Sequence, residues 1–184
     1  MPNYCEYCLK AKGKEKNVKE LVQILQYKHP DLEPYRIFDA YEGECGTDDE
    51  NKYFVCLSGY VAWSIISSIL APEEKTKNIP SDRKLVNIIN ETNRLHLVIE
   101  IFSSESLIGF QEHYIIDNGD VLVDECKDYD EIIYDSSEYE GETDDEKFKN
   151  FCKENEIDID DPDVEQQDNI FMRGGIENYG VWTI

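Results

Sequence analysis

A chain of 184 residues with 40% hydrophobic and 11% aromatic content is long enough to bury a core of its own, most simply in one domain with an elaborated C-terminal part. Its 41 aspartates and glutamates against 18 lysines and arginines leave a net charge of −23, which repels nucleic acid and anionic lipid and directs attention to basic protein surfaces. Most of that charge is local: residues 117–168 hold 22 carboxylates and four lysines, a balance of 4 − 22 = −18.

The chain opens with alternation over residues 4–12. Cys5, Tyr7, Leu9 and Ala11 share one face and Tyr4, Glu6, Lys10 and Lys12 the other, the pattern of a half-buried strand ending at Gly13. Val18, Leu21, Val22 and Leu25 then recur at i, i+3, i+4 and i+7, the stripe of an amphipathic helix that stops before Pro30. The exposed positions here are lysine-rich: Lys10, Lys12, Lys14, Lys16, Lys19 and Lys28 against Glu15 and Glu20. They read as a solvated face or, more sharply, as a dock for the protein's own acidic segment.

Residues 29–52, with Pro30, Pro34, Gly43, Gly46 and Asp48-Asp49-Glu50, read as loop. A short apolar strand over 53–57 leads through Ser58-Gly59 into residues 60–70, which are apolar nearly all round and predict a buried helix closed by Pro72. After a polar loop over 73–80, Ser81 is placed to cap a helix with Leu85, Ile88 and Ile89 as its buried stripe and Asp82 at its positive end. Residues 94–102 alternate again, Leu95, Leu97, Ile99 and Ile101 inward and His96, Val98, Glu100 and Phe102 outward. A second strand covers 110–116, and Asp117-Asn118-Gly119 turns into a third over 121–123, Asn-Gly between apolar runs being a hairpin signal. This order predicts an α+β fold: a mainly antiparallel sheet with helices packed on one face.

The C-terminal third holds order within its acid. Thr143-Asp144-Asp145-Glu146 has the form of a capping box, so a short helix is expected over about 144–154, with Phe148, Phe151 and Cys152 inward. Ile170-Phe171-Met172 and residues 179–184 are apolar enough to dock on the body, which would pin the acid at both ends. The division expected is an α+β domain over 1–125 and an acidic extension over 126–184.

Cys5, Cys8, Cys45, Cys56, Cys126 and Cys152 are expected as reduced thiols. Cys5-Glu6-Tyr7-Cys8 has half the spacing of a zinc site, but no second CxxC or CxxH accompanies it, and on a strand its cysteines point apart. No phosphate-binding glycine loop, GxSxG or HExxH is present, and the run from Asp158 to Asp163 lacks the glycine and terminal glutamate of a calcium loop. No cofactor, metal or catalytic residue is therefore expected. The longest apolar run, residues 60–71, is too short to cross a bilayer and Met1 opens no signal peptide, so a cytoplasmic location without membrane contact is expected.

Several stretches resemble a known family: the opening Met1-Pro2-Asn3-Tyr4-Cys5, the step from Ser58-Gly59 to Ala62-Trp63-Ser64, and Ile99-Glu100-Ile101-Phe102-Ser103 with Gly109-Phe110-Gln111-Glu112-His113-Tyr114. Over residues 1–125 they look like YubB-type ferredoxin-like proteins of plasmids, phages and conjugative elements. The resemblance implies a ferredoxin-like sandwich and a mobile-element context, and no chemistry assignable to particular residues.

Two sets of residues then compete for the function. The first is the acidic face: Asp128, Asp130, Glu131, Asp135, Glu138, Glu140, Glu142, Asp144, Asp145, Asp158, Asp160, Asp161 and Asp163. Held at fixed spacing, these carboxylates would occupy a basic groove on a nucleic-acid-handling protein, as an inhibitor of host restriction or CRISPR defence would, without binding nucleic acid directly. The second is a polar cluster around the hairpin, His96, Glu100, Glu112 and His113, with Glu105 and Gln111 nearby. A histidine beside carboxylates can serve a small enzyme or a ligand site. Glu112 and His113 are adjacent on a strand, so at most one shares a face with Glu100. The plainest alternative is an accessory protein whose charge maintains solubility.

Overall fold

The computed structural model describes residues 3–70, 83–106, 109–161, 164–167 and 169–184. Among these residues, eight antiparallel strands form one sheet in the order β3-β4-β1-β6-β7-β8-β10-β9: β1 (Tyr4–Gly13), β3 (Ile37–Thr47), β4 (Tyr53–Ala62), β6 (Val98–Glu105), β7 (Phe110–Asp117), β8 (Asp120–Ile133), β9 (Val164–Gln167) and β10 (Ile170–Gly174). A separate parallel pair joins β2 (Leu32–Glu33) to β5 (Lys84–Leu85). Helices α1 (Glu15–Leu25) and α2 (Ile88–Leu95) share one aliphatic core with a single face of the sheet.

That core follows from the two periodicities. Cys5, Tyr7, Leu9 and Ala11 of β1 are buried at every second position, facing Val18, Leu21, Val22, Ile24 and Leu25 of α1. Leu9 pairs with Leu57 on one side and Ile101 on the other, and Ile101 with Tyr114, so one inward row crosses four strands. Each fully buried aliphatic side chain contributes about 1.5–3 kcal/mol relative to exposure. Between β7 and β8, Asn118 (φ 50°) and Gly119 (φ 91°) take the left-handed conformations of a tight hairpin turn.

Several expectations change. The strand read from residue 94 starts at Val98, because Leu95 is still in α2 and His96 caps that helix. Residues 29–52 are not loop: they contain β2 and β3. Strand β3 lies at the sheet's edge and is largely exposed, with a register shift between Glu42 and Cys45, so it carries no alternation to read. Residues 60–70 are not one helix, because β4 runs on through Ala62, Trp63 turns the chain at φ 73°, and only a π-helical turn, Ile66–Leu70, follows. The helix expected from Ser81 begins at Ile88, with Asn87 as its cap, its side chain accepting from Asn90 N at 3.1 Å; Leu85 is in β5, and Ser81 and Asp82 lie outside the described residues. The strand expected over 121–123 is β8, which continues to Ile133.

Because β8 is 14 residues long, it belongs to two parts of the sheet, and the boundary drawn between residues 125 and 126 falls inside it. From Tyr129 on it pairs with β10, and a second core forms around Phe151, Ile157 and Phe171, packed by Ile132, Tyr134, Tyr139, Phe148, Cys152 and Val164. Helix α3 (Asp144–Glu154) supplies Phe148 and Phe151. Its capping box is complete, with Glu146 N donating to Thr143 Oγ1 and Thr143 N to Glu146 Oε2.

Candidate functional site

The acidic residues sit on this second part. Asp128, Asp130 and Glu131 lie on β8, Asp135, Glu138, Glu140 and Glu142 on the connection to α3, Asp144 and Asp145 in its first turn, and Asp158, Asp160 and Asp161 after it; all are exposed. Asp163 lies outside the described residues. The framework beneath them is held by specific bonds. Asn150 Nδ2 donates to Glu140 O at 2.7 Å, Asn155 Nδ2 to Tyr139 OH at 3.2 Å, and Glu142 N to Glu146 Oε2 at 2.8 Å, tying the connection to α3 along its length. Rings close the gap from the other side: Tyr134 and Phe151 have centroids 4.9 Å apart, Phe151 and Phe171 5.2 Å. Asp144, Asp145 and Glu146 suit the positive end of the helix dipole. The Ser137 hydroxyl and N–H hold the Asp135 carboxyl below its usual range. Arg173 Nη2 reaches Asp130 at 3.3 Å.

The hairpin cluster divides. Glu100 and His113 come together on the outer face of the sheet, Oε1 to Nε2 at 2.9 Å, with His113 stacked on Phe102 at 4.3 Å between ring centroids. Glu112 points to the opposite face, buried, and accepts from Ile65 N at 2.8 Å, Ser103 Oγ at 2.6 Å and Tyr114 OH at 3.3 Å; it fixes the start of the turn after β4 to the sheet. His96 joins neither group. It is the left-handed C-cap of α2 and is exposed.

Sequence reasoning missed what engages Glu100. Thr183 N donates to its Oε2 at 2.7 Å, Thr183 Oγ1 to Oε1 at 3.0 Å and Ile184 N to Oε2 at 3.2 Å, while Lys10 Nζ donates to Ile184 O at 2.6 Å. Gln111 Oε1 accepts from Ile176 N at 2.8 Å, and Tyr179 and Trp182 pack on Phe102 at 5.3 Å each. Residues 176–184 thus form a strap across β6 and β7, and the buried glutamate is its clasp. The apolar composition of residues 179–184 signalled docking; nothing in the sequence signalled the partner.

The lysine face does not meet the acidic segment at the positions whose contacts are seen. Lys12 pairs with Asp48 in the β3–β4 turn, Lys19 with Glu15 on its own helix, and Lys10 with the strap. The cysteines are free. Cys5 is buried, which pushes its thiol up to about 12, and Cys8 is exposed on the opposite face. Among the described residues, no group of three or more His, Cys, Asp or Glu side chains is arranged to hold a metal, and no helix is long and apolar enough to cross a membrane. Comparison with protein-family models, curated proteins and solved structures finds no match.

Proposed function

We propose that this protein acts as a non-enzymatic binder of a basic, nucleic-acid-handling protein, presenting the carboxylates of residues 128–161 as a fixed anionic face that takes the place of nucleic-acid phosphates. The observation that carries this reading is the pairing of exposed acid with a closed aromatic core in one segment: Glu138, Glu140, Asp144 and Asp145 point to solvent from a frame anchored by Phe151 and Phe171. Carboxylates on such a frame keep their spacing, and a disordered acidic tail does not. Fixed like charge speeds encounter with a basic groove and rejects nucleic acid itself.

We further infer a ferredoxin-like unit within the chain. In support, with the short β2–β5 pair and the π-helical turn set aside, β1, α1, β3, β4, α2 and β6 run in chain order as strand-helix-strand-strand-helix-strand, and their strands lie in the antiparallel order β3-β4-β1-β6 with both helices in the core of one face. A ferredoxin-like unit is what the YubB-type resemblance implies; with the mobile-element context that the resemblance also implies, the basic partner would be a host restriction or CRISPR protein that this chain inhibits. The Glu100–His113 pair supports an enzyme less well, because the strap takes up the Glu100 oxygens.

The test is capture of partners from a host lysate with stepwise salt elution, beside a variant carrying Glu138→Gln, Glu140→Gln, Glu142→Gln, Asp144→Asn and Asp145→Asn. A basic nucleic-acid-binding protein should be retained, elute with salt, and be released by DNA. The variant should stay folded and lose it. Equal retention by the folded variant sinks the proposal and leaves the acid as a solubility device.

A further inference from the structure

The outer face of the sheet is covered unevenly. Over β6 and β7 the strap lies on it, whereas over β1, β4 and β3 it carries open aromatic rings, Tyr4 at 55%, Phe38 at 45% and Tyr41 at 61% exposure. Register places Glu6, Tyr60 and Asp39 in one row across the three strands and Cys8, Ser58 and Tyr41 in the next. Ser58 is small, so a depression of about 290 Å³ opens between the two tyrosines. Tyr60 donates its hydroxyl to Glu6 Oε1 and Tyr41 to Asp39 Oδ1, both at 3.0 Å. Each ring is thereby set in place, and each carboxylate keeps a second oxygen able to accept. The nearby cation, Lys10, is engaged by Ile184 O.

We propose that this depression docks an arginine side chain of a basic partner, its guanidinium stacked on Tyr41 or Tyr60 and hydrogen-bonded to Glu6, which lines it, and to Asp39, which adjoins it through Tyr41. The chemistry selects that occupant. A guanidinium is planar and weakly hydrated, stacks on aromatic faces, and pairs with carboxylates through two parallel N–H bonds. A nucleic acid would bring phosphates against Glu6 and Asp39. A second copy of the chain would bring its own Glu6 and Asp39 against them, and a purely apolar partner would bury them unpaired. The site lies at the opposite end of the sheet from β8–β10, so it is separate from the acidic face and does not rest on it.

The experiment is a titration of the full chain with a blocked Gly-Arg-Gly peptide and its lysine and citrulline counterparts, read by the tyrosine ring signals in NMR. The arginine peptide should shift Tyr41 and Tyr60 saturably, the lysine peptide should bind more weakly, and the uncharged citrulline peptide should not bind. Glu6→Gln with Asp39→Asn, isosteric changes at an exposed and a half-buried position outside the core, should weaken the arginine peptide about tenfold or more. An absent or nonsaturable response overturns the proposal, as do equal responses to arginine and citrulline or unchanged binding by the double variant. Concentration-dependent dimerisation abolished by Tyr41→Asp overturns it in favour of a second copy. The five-amide variant of the acidic face should bind the arginine peptide normally, so this site and that face fail independently.

Discussion

The two cores of this molecule are built from different materials. Between α1, α2 and the strands from β4 to β7, burial is aliphatic and wide, with Leu9, Leu21, Ile24, Leu57, Ile99 and Ile101 closed from solvent. Between α3 and the β8–β10 wing, the core among the described residues is Phe151, Ile157 and Phe171, and aromatic rings fill most of the space around them. The second core must also hold against the repulsion of the carboxylates around it. Aromatic side chains bury the most area per residue, which is how a short segment can order itself under that charge. The comparison teaches that charge density alone does not decide disorder; what matters is whether the segment brings enough apolar area to offset the entropy of ordering.

Five outcomes would break or sharpen this contrast. The largest effect belongs to Leu21→Asp in the first core: an unpaired buried carboxylate costs several kcal/mol against a total stability of about 5–15, so the cooperative thermal transition should disappear. A Tm like that of the native chain would mean α1 does not pack as described. Next comes alkali. Burial raises the Cys5 thiol from 9.0 to about 12 and moves the Tyr7, Tyr114 and Tyr179 hydroxyls above 10.0. Their folded values exceed their unfolded ones, so the stability they contribute is complete below about pH 9 and is lost as pH rises through that range. Tm should fall steadily from pH 9 to 11, and a flat profile would refute their burial.

Phe151→Ala should cost about 3–5 kcal/mol, and hydrogen exchange should show where. Loss of protection confined to α3, β9 and β10 would make the wing a separate unit, whereas loss in β1 and β6 as well would make the sheet one cooperative body. Glu100→Ala leaves the Thr183 and Ile184 N–H groups without their acceptor, a loss of about 1.5–3 kcal/mol for a bond to a charged group, so Trp182 fluorescence should shift toward that of a solvent-exposed indole. Unchanged emission would show that Tyr179 and Trp182 hold the strap by packing alone. The smallest effect is that of salt: added NaCl should raise exchange protection in α3 by screening the acid around it while leaving α1 unaltered. Equal change in both helices would dissolve the distinction.

What the sequence determined by itself was local. The stripe of Val18, Leu21, Val22 and Leu25, the Asn118-Gly119 turn and the Thr143–Glu146 capping box each specify conformation within a few residues, through a periodicity or a side chain bonding its own backbone, and the structure has the corresponding helix, hairpin and cap. Net charge likewise needed no fold to be read. Edge strand β3 was illegible because its pairing is made by backbone groups and most of its side chains face water, and the end of β4 because an apolar run carries the same letters in a strand as in a helix. Only tertiary structure decided that Glu100 clasps Thr183, 83 residues away, that Glu112 turns to the opposite face, and that Glu6, Tyr60 and Asp39 from three strands form one row. Such contacts depend on strand order and register, and these are settled by the free energy of the whole packed sheet.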